Sequence, residues 1–239
     1  TREEWIEIHN RGLGSINLAG WSLDGVDYTL PNVSIPERGY LVVAADETAF
    51  RNRHPGVLNV TGGWGGRLSN RRETIRLLDH TGNEVDRVTY ADGGDWARRR
   101  DGEDDRGYRG WSWDNPADGG GRTLELINLH SRNDLGQNWA SSLVEGGTPG
   151  SLNSVRQVNI APFIEKVSHH PSVPTPRDLV LIRARLADDL SSPVHGVVHH
   201  RVSSLPSIPF AVTPMRDDGL GGDEVARDGV HTAVLPAQP

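Results

Sequence analysis

The chain has 239 residues, a length that suits two domains of ordinary size better than one small domain. Its 25 Lys and Arg residues against 32 Asp and Glu residues give a net charge of −7, so we do not expect nucleic acid as its partner. The absence of cysteine excludes disulfide bonds, thiolate metal sites and a cysteine nucleophile. No apolar run reaches the roughly 18 to 20 residues that a membrane-spanning helix needs.

Short alternating or apolar stretches separated by turn residues predict strands from the start of the chain. Trp5–Ile8 alternates as a half-buried strand does, and after the next strand, Ile16–Leu23, Asp24-Gly25 signals a two-residue hairpin. The continuously apolar run Gly39–Ala44 predicts a central strand of a buried sheet. Residues 48–54 have room for one short helical turn.

The following elements predict a β-hairpin. Glu73–Leu78 and Glu84–Tyr90 flank a turn, and the apolar residues Val85 and Val88 fall on opposite faces of a regular strand. A β-bulge would absorb this offset. A last strand of this part is predicted at 123–127, after a Gly-rich and charged stretch.

The composition of the chain predicts a domain boundary near Asn153. All seven Trp residues lie at or before Trp139, and the turn-rich segment Gly146–Gly150 follows them. We therefore expect separate cores in residues 1–153 and 160–239. Because the chain begins within strand-like sequence, we also expect it to be part of a longer protein.

The second part again predicts only short strands, and the whole chain is therefore expected to be all-β. The predicted strands are spaced as in β-sandwich domains and include Ile160–Ile164, Leu179–Leu186, Val194–Val202, Phe210–Val212 and His231–Leu235. A sandwich that ended at Pro239 would have an unpaired edge, so we expect its last strand to lie beyond this residue.

Eight blocks of the first part resemble the lamin tail domain in order and spacing over roughly the first 150 residues. The blocks are Glu4–Asn10, Ile16–Leu23, Ile35–Val43, Leu68–Asn70, Glu73–Asp79, Val85–Tyr90, Asn138-Trp139 and Gly147–Gly150. The resemblance implies an immunoglobulin-like sandwich without catalytic residues, carried as an accessory module by exported or surface proteins of bacteria. The insert Arg98–Trp113 departs from the family pattern, so no partner surface is carried over to this chain.

Several residues within these blocks have structural explanations of their own. Trp21 after Gly20 predicts a buried indole beside a close approach of the backbone. Asn10 and Asn70 are placed where side-chain amides cap turns.

Residues 160–239 resemble the immunoglobulin or fibronectin type III-like domains that follow such modules in bacterial surface proteins. The resemblance rests on Met215–Gly219 and Asp223–Val230. Together the two resemblances imply two immunoglobulin-like β-sandwiches in tandem, the second lacking its last strand.

An acidic loop in the second part is a candidate calcium site. Asp217, Asp218, Asp223 and Asp228 offer carboxylate oxygens on a Gly-rich backbone, which is what a hard cation requires. The alternative is a loop between two strands in which the carboxylates cap backbone amides.

Trp111 and Trp113 form a candidate sugar-binding pair, because residues two apart in an extended segment share a face and indoles stack on sugar rings. The alternative is that one or both plug the sandwich.

These observations predict a non-catalytic structural or interaction module that spaces or docks neighbouring domains. Its partners would be protein domains of the same or a neighbouring chain, and its extracellular or cell-surface location follows from the resemblance alone. We expect no cofactor, and neither an enzyme active site nor a membrane span. The alternatives are a carbohydrate-binding module and a calcium-stabilised adhesion domain.

Overall fold

A computed structural model describes residues 3–105, 108–188, 193–202 and 208–237, and the prediction of an all-β fold is confirmed. The strands before residue 100 are β1 (Trp5–His9), β2 (Ile16–Asn17), β3 (Ser22–Asp24), β4 (Tyr28–Thr29), β5 (Ser34–Ile35), β6 (Tyr40–Ala44), β7 (Val60–Gly62), β8 (Arg72–Leu78), β9 (Glu84–Ala91) and the start of β10 (Arg98–Asp105). The later strands are β11 (Tyr108–Asp114), β12 (Leu124–Leu126), β13 (Trp139–Ser141), β14 (Phe163–His170), β15 (Val180–Ala187), β16 (Val197–His200), β17 (Ala211–Pro214) and β18 (Val230–Leu235). Helix α1 (Glu47–Arg53) lies between β6 and β7.

The chain divides into two compact units. The first unit comprises Thr1–Arg100 and Trp113–Val158, and the second comprises Asp101–Ser112 and Asn159–Pro239. The paired strands β10 and β11 therefore contribute residues to both units.

The core of the first unit lies between two sheets with the strand orders β1-β6-β7 and β4-β3-β8-β9. Its fully buried side chains include Leu23 of β3 and Leu41 and Val43 of β6, against which Ile6 of β1 and Ile75 of β8 pack. Because side chains alternate between the faces of a strand, each sheet presents one apolar face to the other. The first unit is thus a β-sandwich.

Strand β6 is central, as its sequence predicts, and is buried on both faces. It pairs antiparallel with β1 and parallel with β7. On its outer face Val42 and Ala44 pack with Phe50 of α1. Asp46 caps the N-terminus of the helix, since its side chain accepts a hydrogen bond from the Ala49 N–H at 3.0 Å. Helix α1 therefore covers the face that an uninterrupted apolar strand would otherwise expose to water.

The turn after β3 is longer than the two-residue hairpin that Asp24-Gly25 predicts. The strands pair through Leu23 and Tyr28, so four residues separate the last paired positions. Within this longer turn Val26 inserts into the core, with 4 % of its surface exposed. Gly25 has φ of 115° and lies against β8.

The predicted hairpin of β8 and β9 and its bulge are confirmed. Leu77 pairs with Asp86 and Leu78 pairs with Glu84, so Val85 is the extra residue of the bulge. In the turn, the Asp79 carboxylate accepts hydrogen bonds from the N–H groups of Thr81 and Asn83. The Thr81 hydroxyl donates to the same carboxylate, and this bond is the largest cause of the lowered pKa of Asp79. The two N–H bonds lower the pKa further.

The second unit contains a sheet with the order β14-β15-β18 and a pair of strands, β16 and β17. Phe163, Ala184, Leu186 and Ala233 are buried in it. The register of β14 shifts on β15 between Glu165 and Ser168, and Lys166, which lies in this irregularity, has φ of 51°. A bulge of this kind bends the strand.

Candidate functional site

The predicted acidic loop lies between β17 and β18, and its carboxylates partly converge. Asp217, Asp223 and Asp228 each place a carboxylate oxygen within 4.8 Å of the others. Asp223 is buried, with 7 % of its surface exposed. Asp218 lies outside this group, because its Oδ1 accepts a hydrogen bond from Arg216 Nε at 3.0 Å. Three of the four predicted carboxylates thus form one oxygen-rich cluster.

The same carboxylates also cap the backbone of the loop. Asp217 accepts hydrogen bonds from the Asp228 and Gly229 N–H groups at 3.1 and 3.3 Å, and Asp223 accepts one from Gly219 at 2.6 Å. Asp228 accepts one from Val230 at 2.8 Å. An ionised carboxylate has about four acceptor positions, so these bonds leave lone pairs that a cation could use. The geometry accommodates both interpretations of the loop.

The predicted aromatic pair lies on β11. Trp113 is 47 % exposed, so its indole does not plug the sandwich. The side chain of Trp111 lies outside the described part of the structure.

A cluster of titratable side chains that the sequence analysis did not single out lies on the outer face of β1. Glu7 and His9 share this face with Tyr40, which pairs with His9 across the strands. The rings of His9 and Tyr40 stack with their centroids 4.6 Å apart. The segment from β12 to residue 156 packs against this face and contributes Glu125.

Glu125 of β12 is the most deeply buried carboxylate of this cluster, with 5 % of its surface exposed. Its Oε2 accepts hydrogen bonds from the N–H and hydroxyl groups of Ser154 at 2.8 and 2.7 Å, and its Oε1 accepts one from the Thr148 hydroxyl at 2.7 Å. A buried carboxylate is tolerated where several donors satisfy it. Glu125 therefore fixes both ends of the segment 148–154.

Glu7 holds the middle of that segment, since its Oε2 accepts a hydrogen bond from the Gly150 N–H at 2.6 Å. Burial raises the pKa of Glu7 to about 7, the Gly150 N–H acts in the opposite direction, and the charge of Glu125 adds to the increase. Burial also lowers the pKa of His9. Glu7 and Glu125 are thus used by the fold itself, as hydrogen-bond acceptors for the segment 148–154.

The periodicity of β1 explains why this cluster escapes sequence analysis. In the alternating strand Trp5–His9, the polar residues Glu7 and His9 occupy positions that an edge strand usually exposes to water. Their cover comes from residues more than a hundred positions later in the chain, which no local pattern reveals. The one available signal is Glu125 itself, a charged residue between the apolar Leu124 and Leu126.

The fold of the strands β1 to β9 agrees with the comparison of the chain with known families. Residues 1–92 match the family model of the Lamin Tail Domain. This match spans β1 to β9 and ends directly after the bulged hairpin. The resemblance seen in the sequence is thus confirmed for the sandwich that these strands build.

Two details of the Lamin Tail Domain blocks can now be explained. Asn10 caps its turn as predicted, donating to the carbonyls of Gly14 and Pro36 and accepting from the Gly12 N–H. In the block that begins at Leu68, the Leu68 N–H donates to Glu4 Oε2 at 2.9 Å. Both are structural uses, in keeping with an immunoglobulin-like structural and interaction domain.

Comparison with curated proteins and with solved structures found no match. In the part of the chain that the structure describes, no helix has the length and apolar character that crossing a membrane would require.

Proposed function

We propose that the chain is a non-catalytic module of an exported or cell-surface protein, in which two sandwiches in tandem space or dock neighbouring protein domains. The match of residues 1–92 to the Lamin Tail Domain, an immunoglobulin-like structural and interaction domain, carries this proposal. The buried Glu125 supports it, because its oxygens accept hydrogen bonds from Thr148 and Ser154 of the segment 148–154.

The second unit offers apolar surface for docking. On the pair β16 and β17, Val197 and Val212 lie on the same face and are 52 % and 54 % exposed. Phe210, which precedes β17 by one residue, is 52 % exposed, and the Arg201 guanidinium lies 4.6 Å from its ring centroid. Exposed apolar side chains that adjoin one another mark surfaces that bind other proteins.

Two experiments test the proposal. The purified chain is assayed against ester, phosphate, glycoside and peptide substrates, and turnover above about 1 per second would contradict a non-catalytic role. When protease is added to intact cells that produce the natural protein, it should degrade the part of that protein that contains this chain. Degradation only after lysis would contradict the proposed surface location.

A calcium-stabilised adhesion domain is the second candidate, favoured by the convergence of Asp217, Asp223 and Asp228. Calcium at 100 times its dissociation constant would stabilise the second unit by about 2.7 kcal/mol. The melting temperature should therefore rise with calcium and fall with chelator. Asp223→Asn should abolish the shift, and Asp218→Asn, outside the cluster, should preserve it. An equal melting temperature in calcium and in chelator refutes this candidate.

A carbohydrate-binding module is the third candidate, favoured by the 47 % exposure of Trp113. A glycan array should then show ligands that bind the unaltered chain and fail to bind Trp113→Ala. Binding that survives the substitution, or an array without ligands, refutes it.

A further inference from the structure

Strand β16 of the second unit has one open edge. It pairs antiparallel with β17, and together they form a two-stranded ribbon. The far edge of this ribbon, on the β17 side, is joined to β18, because Arg216 and Thr232 exchange two backbone hydrogen bonds of 2.8 Å. In the part of the second unit that the structure describes, no strand pairs with the other edge of β16.

The register of the ribbon shows which backbone groups point toward this open edge. The Met215 N–H donates to the Gly196 carbonyl at 2.9 Å, so these two residues are a hydrogen-bonded pair of the antiparallel ladder. Such pairs alternate with pairs that are not hydrogen-bonded, so the N–H and C=O groups of Val197 and His199 point away from β17. Pro214, which has no N–H to donate, lies opposite Val197 and agrees with this alternation.

Two other terminal strands carry features that oppose pairing with a further strand. β9 has its bulge at Val85, between the charged residues Glu84 and Asp86. β14 has its irregularity at Lys166, next to Glu165. Charges and bulges of this kind protect the edge of a sheet. In contrast, β16 keeps a regular register over its whole length and contains only valine and histidine, so its edge lacks this protection.

The sheet that faces the ribbon is only partly covered. Leu186 of β15 is buried against the ribbon, since a Cβ added to Gly196 would lie 2.7 Å from the Leu186 Cδ1. Ile164 of β14 pairs with Leu186 and shares its face, yet Ile164 is 53 % exposed. Because the bridge at Arg216 places β17 beside β18, the open edge of β16 lies toward β14. A strand added there would shield this apolar face from water.

We propose that β16 is the docking edge of the second unit, and that a neighbouring domain of the natural protein donates an extended segment that pairs with it. This proposal rests on the proposed docking function, for which it names the partner. The donated segment should have apolar side chains at alternate positions, on the side that faces the sheet of β14 and β15.

The length of the uncovered face favours a neighbouring domain over a second copy of the chain. A second copy would pair through its own β16, which has 4 residues. The face to be covered follows β15, which has 8 residues. A segment donated by another domain can extend along the whole of this face.

Hydrogen exchange of single amides tests the pairing, because an amide that gains a backbone partner becomes protected. The amides of Val197 and His199 should exchange at least about tenfold more slowly in the natural protein than in the isolated chain. The Val198 amide, which points to β17, should be protected in both and serves as the internal reference.

A proline at the open edge provides the matched variant. His199→Pro removes one outward N–H and no hydrogen bond to β17. In the natural protein with this substitution, the Val197 amide should exchange as fast as it does in the isolated chain. The control His199→Ala retains the N–H and should retain the slow exchange. Slow exchange of Val197 in His199→Pro would overturn the proposal, since the protection would not come from strand pairing.

The unaltered proteins decide the question even if His199→Pro does not fold. Equally fast exchange of Val197 and His199 in the natural protein and in the isolated chain would overturn the proposal. Slow exchange already in the isolated chain, with a dimer in sedimentation, would do so by assigning the edge to a second copy. Neither result contradicts docking through the exposed face of Val197 and Val212, whereas catalytic turnover would contradict the docking function and leave the exchange rates unchanged.

Discussion

Replacing Trp64 by phenylalanine should cost the first unit little stability, although the indole is only 6 % exposed. The indole Nε1 is buried and has no hydrogen-bond partner among the described residues. A buried donor without a partner costs about 1–3 kcal/mol, and phenylalanine removes it. The smaller ring gives up apolar contact of similar size, roughly 1–2 kcal/mol. The free energy of unfolding should therefore fall by no more than about 1 kcal/mol.

A matched control is Trp139, whose Nε1 donates to the Asn133 carbonyl at 2.9 Å. Trp139→Phe loses that bond as well as contact area and should cost about 2 kcal/mol. Trp64→Ala should cost about 3–5 kcal/mol, because the cavity is then large. Urea denaturation followed by tryptophan fluorescence measures all three, since the tryptophans are concentrated in the first unit. If Trp64→Phe lost more free energy of unfolding than Trp139→Phe, the Trp64 indole could not be without a hydrogen-bond partner.

Two backbone substitutions test the turns of the first unit. Gly25→Ala should destabilise it by at least about 2 kcal/mol, because φ is 115° and the new Cβ would lie 2.8 Å from the Thr74 carbonyl oxygen; an unchanged urea midpoint would show that the turn can rearrange. Arg38→Gly should stabilise the unit by about 0.5–1 kcal/mol, because the exposed Arg38 has φ of 53°. A lower midpoint would mean that the arginine side chain contributes more than its backbone strain costs.

The sequence predicts those features of the fold that depend on neighbouring residues. The apolar run Gly39–Ala44 predicts β6, because burial on both faces removes the alternation of an exposed strand. The offset of Val85 from Val88 predicts the bulge of β9 for the same local reason. Helix α1 begins and ends one residue before the helical turn predicted at residues 48–54.

Features that depend on packing were predicted less well. The sequence predicts a close approach of the backbone at Gly20 and a buried Trp21, whereas the nearest atom to a Cβ at Gly20 would be 3.7 Å away and Trp21 is half-buried. The glycine is needed instead for its φ of 77°. The long turn at Asp24 likewise follows from Val26, whose place in the core is a tertiary fact.

The two carboxylate clusters show the same limit for functional sites. The acidic loop could be predicted because Asp217, Asp223 and Asp228 belong to one loop of the chain. Their carboxylates converge as soon as this loop closes. Glu7 and Gly150 are separated by 143 positions, and their contact exists only after the sandwich has formed and the later strands have packed on its outer face. The burial that shifts the pKa of Glu7 is created by that same packing step.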